Sequence, residues 1–297
     1  MARFTLVGIG EALFDIVNHE PRLGGAPLNV ACHAHQLAQP HGGRGVIVSR
    51  IGQDELGNRA IELIGQRGMT TDFLETDPDR PTGRVYVHLN DPSEPTYEVV
   101  PGVAWDNLQF DPDLEDLAQH CDAVCFGTLA QRDAQTRNTL YRFLDACPHA
   151  MRLLDVNLRA DFDDARLLQR SLERATHLKL NQHEWPVVTR LLGLAPEPRA
   201  LLAKHPHLQM VALTRGSEGV ELITPNETVH SQSAHYPQEE HHDSVGAGDA
   251  CAAGLLVAQY LRKSLSQTAD LAHHCGAFVA SQSGATPALP KAIVAML

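Results

Sequence analysis

The run Asp243-Ser244-Val245-Gly246-Ala247-Gly248-Asp249-Ala250 holds residue types that phosphoryl chemistry needs, at usable spacing. Gly246, Ala247 and Gly248 carry little or no side chain, so a ligand can approach their backbone closely. An apolar, small-residue helix is expected to begin there and to run to about Tyr260. The first N–H groups of a helix have no intrahelical acceptor, and the helix dipole adds to their pull on an anion. Asp249 then falls in the first turn, beside that anion site. Such a carboxylate can take the proton of an attacking hydroxyl while the N–H groups hold the charge of a transferred phosphoryl group. The plainer reading is an acidic residue capping a helix, and a Gly-x-Gly-Asp tetrapeptide alone leaves the two readings level.

Other polar residues follow short apolar runs. Gly10–Asp15 follows the first of these, and Gly24-Gly25-Ala26-Pro27-Leu28-Asn29 comes next. Gly24 and Gly25 would let the backbone approach a ligand, with Asp15 and Asn29 as hydrogen-bonding side chains nearby; alone, a glycine pair is more often a tight turn. Asp54 reads as a helix cap within Gly52-Gln53-Asp54-Glu55-Leu56-Gly57. Asp155-Val156-Asn157-Leu158-Arg159 ends another run, with Arg159 either a phosphate or substrate ligand or a solvated side chain. Asn181 and Glu184 fit a helix start in which each caps the other.

The elements that must position these residues alternate. Strand candidates are Thr5–Ile9, Val46–Arg50, Ala123–Phe126, Arg152–Asp155, His177–Leu180 and Met210–Thr214. Helix-length segments lie between them, at Glu55–Arg67, Ala134–Cys147, Ala165–Arg174 and Asn181–Leu192. This alternation predicts an α/β fold, a mainly parallel central sheet flanked by helices, with ligands beyond the carboxyl ends of the strands. Arg84–Asn90 and Thr96–Val100 break the pattern: they alternate at period two around a turn-forming stretch and read as a hairpin. It either forms a small β lid or lies at the edge of the main sheet.

Bulk properties narrow the function. The chain has 297 residues, 43% hydrophobic and 20% charged, and a net charge of −12. That surface opposes nucleic acid and anionic membranes as partners. No apolar run nears bilayer length, and residues 1–8 read as a strand rather than a signal peptide. Six cysteines without Cys-x-x-Cys spacing fit a reduced, cytoplasmic protein. The seventeen histidines include adjacent pairs, His241-His242 and His273-His274, which are badly spaced for chelation.

Taken whole, Asp243–Ala250 closely resembles the C-terminal signature of ribokinase-like (phosphofructokinase-B type) carbohydrate kinases, and the likeness runs in order over nearly the whole chain. Gly24–Ala31, Gly52–Gly57 and Asp155–Arg159 match segments of that family, the last common to its fructokinase and ketodeoxygluconate kinase branches, and the chain as a whole is most similar to the fructokinase-like branch. The resemblance implies one domain, 1–297, with a small β lid from 11–25 and 82–104, and a homodimer through the lid as the candidate assembly. It implies ATP and Mg2+, with K+ as a candidate activator. Asp249 would be the base, Gly246–Gly248 the anion hole, and Asp15, Gly24, Gly25, Asn29 and Arg159 the sugar ligands. Asn181, Thr214, Gly216 and Gly219 would serve the nucleotide, Glu184 a magnesium-bound water, and Asp243 a monovalent cation. Fructose is the first acceptor to test, although Tyr97–Asp106 lacks the arginine of many fructokinases. Ketodeoxygluconate, nucleoside and phosphosugar kinases are the alternatives, with a non-catalytic sugar- or nucleotide-binding protein as a different class.

Overall fold

The computed structural model describes residues 4–88, 96–158 and 164–297. The chain opens with β1 (Thr5–Ile9), the hairpin β2 (Leu13–Val17) and β3 (Glu20–Gly24), then α1 (Ala26–Ala38), β4 (Arg44–Gly52), α2 (Glu55–Gln66) and β5 (Leu74–Asp77). A second hairpin, β6 (Gly83–His88) and β7 (Thr96–Val99), leads to α3 (Pro112–His120), β8 (Ala123–Phe126), α4 (Ala134–Ala146), β9 (Met151–Asp155) and α5 (Ala165–Leu172). There follow β10 (His177–Asn181), α6 (Glu184–Leu192), α7 (Pro198–Lys204), β11 (Met210–Thr214), β12 (Val220–Ile223) and β13 (Thr228–His230). Three helices close the chain: α8 (Ala247–Tyr260), α9 (Leu265–Val279) and α10 (Lys291–Val294).

The main sheet runs β13-β12-β11-β10-β9-β8-β1-β4-β5. Its pairs are parallel except β11–β12 and β12–β13. Helices cover both faces, so strand residues alternate between two apolar cores. Val7 and Ile9 of β1 join one with Leu117, Leu140 and Phe143, while Leu6 joins the other with Val30, Leu255 and Leu271. This double burial explains why the central strands read as near-continuous apolar runs. The small residues of α8 let α9 come close: a Cβ on Gly254 would lie 3.1 Å from both the Ala272 Cα and the Cys275 Sγ.

The second hairpin does not lie at the main sheet's edge. It joins the first in a separate sheet of order β3-β2-β6-β7, in which β2 and β6 pair in parallel. Asn18 and Asn18's neighbour His19 have φ of 50° and 68°, the left-handed pair of a two-residue type I′ turn. Leu89 and Asn90 of the expected hairpin lie outside the described residues. Several boundaries differ from expectation: β4 extends beyond Val46–Arg50 at both ends, and α5 stops at Leu172 rather than Arg174. Asn181 ends β10, and α6 starts at Glu184. The short strand β5, Leu-Glu-Thr-Asp, pairs with β4 although its composition is largely polar. Among the described residues all six cysteines are free and buried, no group of three acidic, His or Cys side chains is set to hold a metal, and no helix is long and apolar enough to cross a membrane.

Candidate active site

The start of α8 has the geometry of an anion site. Gly246 is its N-cap with φ 79°, and a Cβ there would sit 2.8 Å from the Ala285 Cα, so both backbone conformation and space demand glycine. The Asp243 carboxylate braces this turn by accepting the N–H of Val245 at 3.0 Å and of Gly284 at 3.3 Å. From the other side, His33 donates its Nε2–H to the Ala285 carbonyl at 3.0 Å. Burial pushes the His33 imidazole down to about 4, so it stays neutral in that role.

Asp249 lies in the first turn of α8 and is 7% exposed. Its Oδ2 accepts the side-chain N–H of Asn29, near the start of α1, at 2.8 Å. Two residues singled out from opposite ends of the sequence, one as base and one as sugar ligand, therefore touch. The Asn29 Oδ1 is buried without a hydrogen-bond partner among the described residues, which leaves one acceptor there. On the same side, a Cβ on Gly24 would lie 2.8 Å from the Asp15 Oδ2. Gly25 has φ 111° and packs its Cα against the Glu11 carbonyl. A narrow cavity beside them is lined by Glu11, Pro27, Thr128, Asp155 and Asn157. Arg159 lies outside the described residues.

A larger cavity, about 430 Å³, opens on the other side of the turn. Thr214, Gly216, Gly219, Ala247 and Gly248 line it, bringing together residues expected to serve nucleotide and phosphate. Gly219 has φ 104°, which favours glycine there. His273, not foreseen, also lines this cavity and is 4% exposed.

Asn181 and Glu184 bond reciprocally as the spacing predicts, although α6 begins at Glu184 and its N-cap is His183 rather than Asn181. Asn181 Oδ1 accepts the N–H of His183 and Glu184, and Glu184 Oε2 accepts the Asn181 N–H at 2.7 Å. Glu184 Oε1 accepts the Leu158 N–H at 2.8 Å. Burial raises the Glu184 carboxyl above its ordinary range, opposed by the Asn181 N–H. Each oxygen keeps one lone pair, which leaves the carboxylate able to accept from a metal-bound water.

The feature sequence reasoning missed is a buried ion pair. Lys179 on β10 stands opposite Asp155 on β9 in parallel register. Its Nζ reaches Asp155 Oδ1 at 2.9 Å and Oδ2 at 2.8 Å, with both side chains 6% exposed. Burial pushes the ammonium down, the Asp155 carboxylate more than offsets this, and the net shift is upward. A Cβ on Gly248 would lie 3.3 Å from that Nζ, so the charge sits directly beneath the anion turn.

Comparison with known proteins agrees with this geometry. The chain is 28% identical over 311 residues to the fructokinase of Escherichia coli, covering 95% of each. The fructokinase of Xylella fastidiosa solved with bound ATP superposes with a TM-score of 0.84 at 20% identity, covering 98% of this chain and 97% of that one. A Vibrio cholerae fructokinase solved with fructose, ADP and potassium gives a TM-score of 0.77 at 24% identity, covering 100% and 98%. Residues 15–292 match the profile of the pfkB family carbohydrate kinases, and the chain belongs to that family.

Proposed function

We propose that the protein transfers the γ-phosphoryl group of ATP to a hydroxyl of a small carbohydrate, with fructose as the first acceptor. The observation that carries this reading is Asp249, held by Asn29 at the point where a glycine-rich helix start meets the larger cavity. The acceptor oxygen bonds to the γ-phosphorus, the bond to the β–γ bridging oxygen breaks with its electron pair leaving on ADP, and the hydroxyl proton passes to Asp249. The N–H groups of residues 247–249 face the charge that develops on the transferred group. Sugar is held by Asp15, Asn29 and the Gly24–Gly25 backbone; Arg159, a further candidate ligand, lies outside the described residues. The nucleotide takes the cavity lined by Thr214, Gly216 and Gly219.

Glu184 would hold a water of a bound magnesium ion, which would supply charge neutralisation to the phosphates. The candidate site for potassium is the joint where the Asp243 N–H meets the Gln282 carbonyl at 3.0 Å. The small sheet of β2, β3, β6 and β7 serves as a lid that excludes water, a competing acceptor. It also offers the face for a homodimer.

The fructokinase relatives support fructose. The test is ATP consumption across ketoses, aldoses, sugar acids, sugar phosphates and nucleosides. Fructose turnover at least tenfold above every other acceptor supports the reading. A sugar acid, nucleoside or sugar phosphate in first place reassigns the branch, and no turnover with any acceptor leaves a binding protein.

A further inference from the structure

A lysine in the middle of a central strand needs an explanation, because an ammonium loses its hydration there. Lys179 is 5% exposed between the fully buried Leu178 and Leu180. Pairing it with Asp155 limits the cost, but a buried ion pair adds little stability over an apolar pair of similar size. The pair's position is more telling than its energy. Asp155 lines the narrow cavity on the acceptor side, and Lys179 lies against Gly248, which lines the large cavity. The pair thus spans the boundary that a phosphoryl group must cross. An ammonium carries three N–H groups; two bonds go to Asp155, and among the described residues no other acceptor takes the third.

We infer that Lys179 donates this remaining N–H to the phosphoryl group in flight, and that Asp155 is the positioning residue that aims it. The inference rests on the kinase reading. During transfer the acceptor oxygen bonds to phosphorus, the bridging oxygen leaves on ADP, and the proton goes to Asp249. Lys179 stays protonated throughout and contributes only charge. A fixed cation in a dry site is worth far more than one in water. It also offsets the charge of Asp249 when phosphates arrive beside that carboxylate.

The experiment compares the parent with Lys179→Met/Asp155→Asn, which removes both charges and leaves neither buried and unpaired, and with Asp155→Asn alone. For the double variant, kcat for fructose should fall by about 10²–10³. Its affinity for ADP should stay within about threefold of the parent. Binding of ADP with aluminium fluoride and fructose, a mimic of the transferring group, should lose a comparable factor to kcat. A kcat within about threefold of the parent overturns the inference, and so does an ADP affinity that falls as far as kcat.

Asp155→Asn supplies a second readout. The groups facing the ammonium are Asp155 of β9, Cys125 of β8, Asp249 and Cys251 of α8, and Glu184 of α6. Without its Asp155 partner, burial depresses the lysine. Activity should then fall on the alkaline side, where the parent holds constant. A pH profile parallel to the parent's overturns the positioning role, even if the double variant does not fold. If the parent phosphorylates no sugar, the kinase reading is what fails, and ADP–aluminium fluoride binding without sugar still reports on Lys179.

Discussion

Asn29 donates to Asp249 across 220 residues of sequence, joining the second turn of α1 to the first turn of α8 with one 2.8 Å bond. The bond holds one oxygen of the carboxylate against the Asn29 side chain. It also ties the helix that follows the small sheet to the helix that starts at the anion turn. The proposed sugar and phosphate sites therefore share this one bond.

Removing the carboxylate's basicity tests its role most directly. Asp249→Asn keeps shape and the capacity to bond Asn29, so the fold and ATP binding should persist. Turnover should fall by about 10²–10⁴, the usual contribution of a general base. Thermal denaturation and nucleotide titration check the first expectation, and steady-state rates check the second. Near-parent turnover in a folded protein would remove Asp249 from the chemistry.

Asn29→Asp replaces a donor to Asp249 with a like charge. Two carboxylates in contact cannot both ionise freely, so the pair should retain a proton at neutral pH. Activity at pH 7 should drop at least tenfold and recover in part as pH rises. Asn29→Ala should lose rate without that pH dependence. Identical pH profiles for the two variants would show that the contact does not govern the base.

Gly248→Val should impair use of ATP more than binding of sugar. A branched side chain would crowd the Lys179 ammonium, since even a Cβ approaches it to 3.3 Å, and would block phosphate from the helix N–H groups. The measurement is KM and kcat for ATP beside the equilibrium affinity for fructose. Equal losses for the two ligands would contradict the division of the site.

Two buried histidines should contribute to the loss of stability in acid. Burial lowers both His33 and His177 from 6.5 to about 4. Their folded values lie below the unfolded value, so the unfolded chain binds more protons between pH 6.5 and 4. The stability they contribute is complete above pH 6.5 and is lost as pH falls toward 4, on the order of 3 kcal/mol for each. Urea denaturation from pH 7.5 to 4.5 should show this decline, and His33→Gln should flatten it. An equal slope in parent and variant would exclude His33 as a cause.

The sequence displayed the parts of the site that lie in continuous runs and concealed those made by pairing. Gly246–Asp249 could be read because a helix start and its carboxylate are neighbours in the chain. The Lys179–Asp155 pair could not, because it depends on β9 and β10 being adjacent in one particular register, 24 residues apart. His177–Asn181 by itself is only a strand with one odd lysine. The hairpin β6–β7 announced itself by period-two alternation, whereas β2–β3 turns through Asn18-His19 and lacks the glycine that usually marks such a turn. Strand β5 was hidden by its Glu-Thr-Asp content, which an edge position tolerates.

Asp15→Ala should weaken sugar binding far more than ATP binding. Asp15 lies on β2 in the small sheet, with its carboxylate close against Gly24, on the acceptor side of Asp249. A carboxylate can accept from two sugar hydroxyls, and a hydrogen bond to a charged group contributes roughly 1.5–3 kcal/mol. Fructose affinity should therefore fall by about one to two orders of magnitude. Gly24→Ala tests the same geometry from the other side, because its new Cβ would push on the Asp15 Oδ2 from 2.8 Å. That variant should lose sugar affinity while keeping the carboxylate. If Asp15 only braces the hairpin, both variants would lower the melting temperature and leave the two affinities alone. Separate calorimetric titrations of fructose and ATP into each folded variant decide the matter. An equal loss for both ligands would move Asp15 out of the acceptor site and take the lid assignment with it.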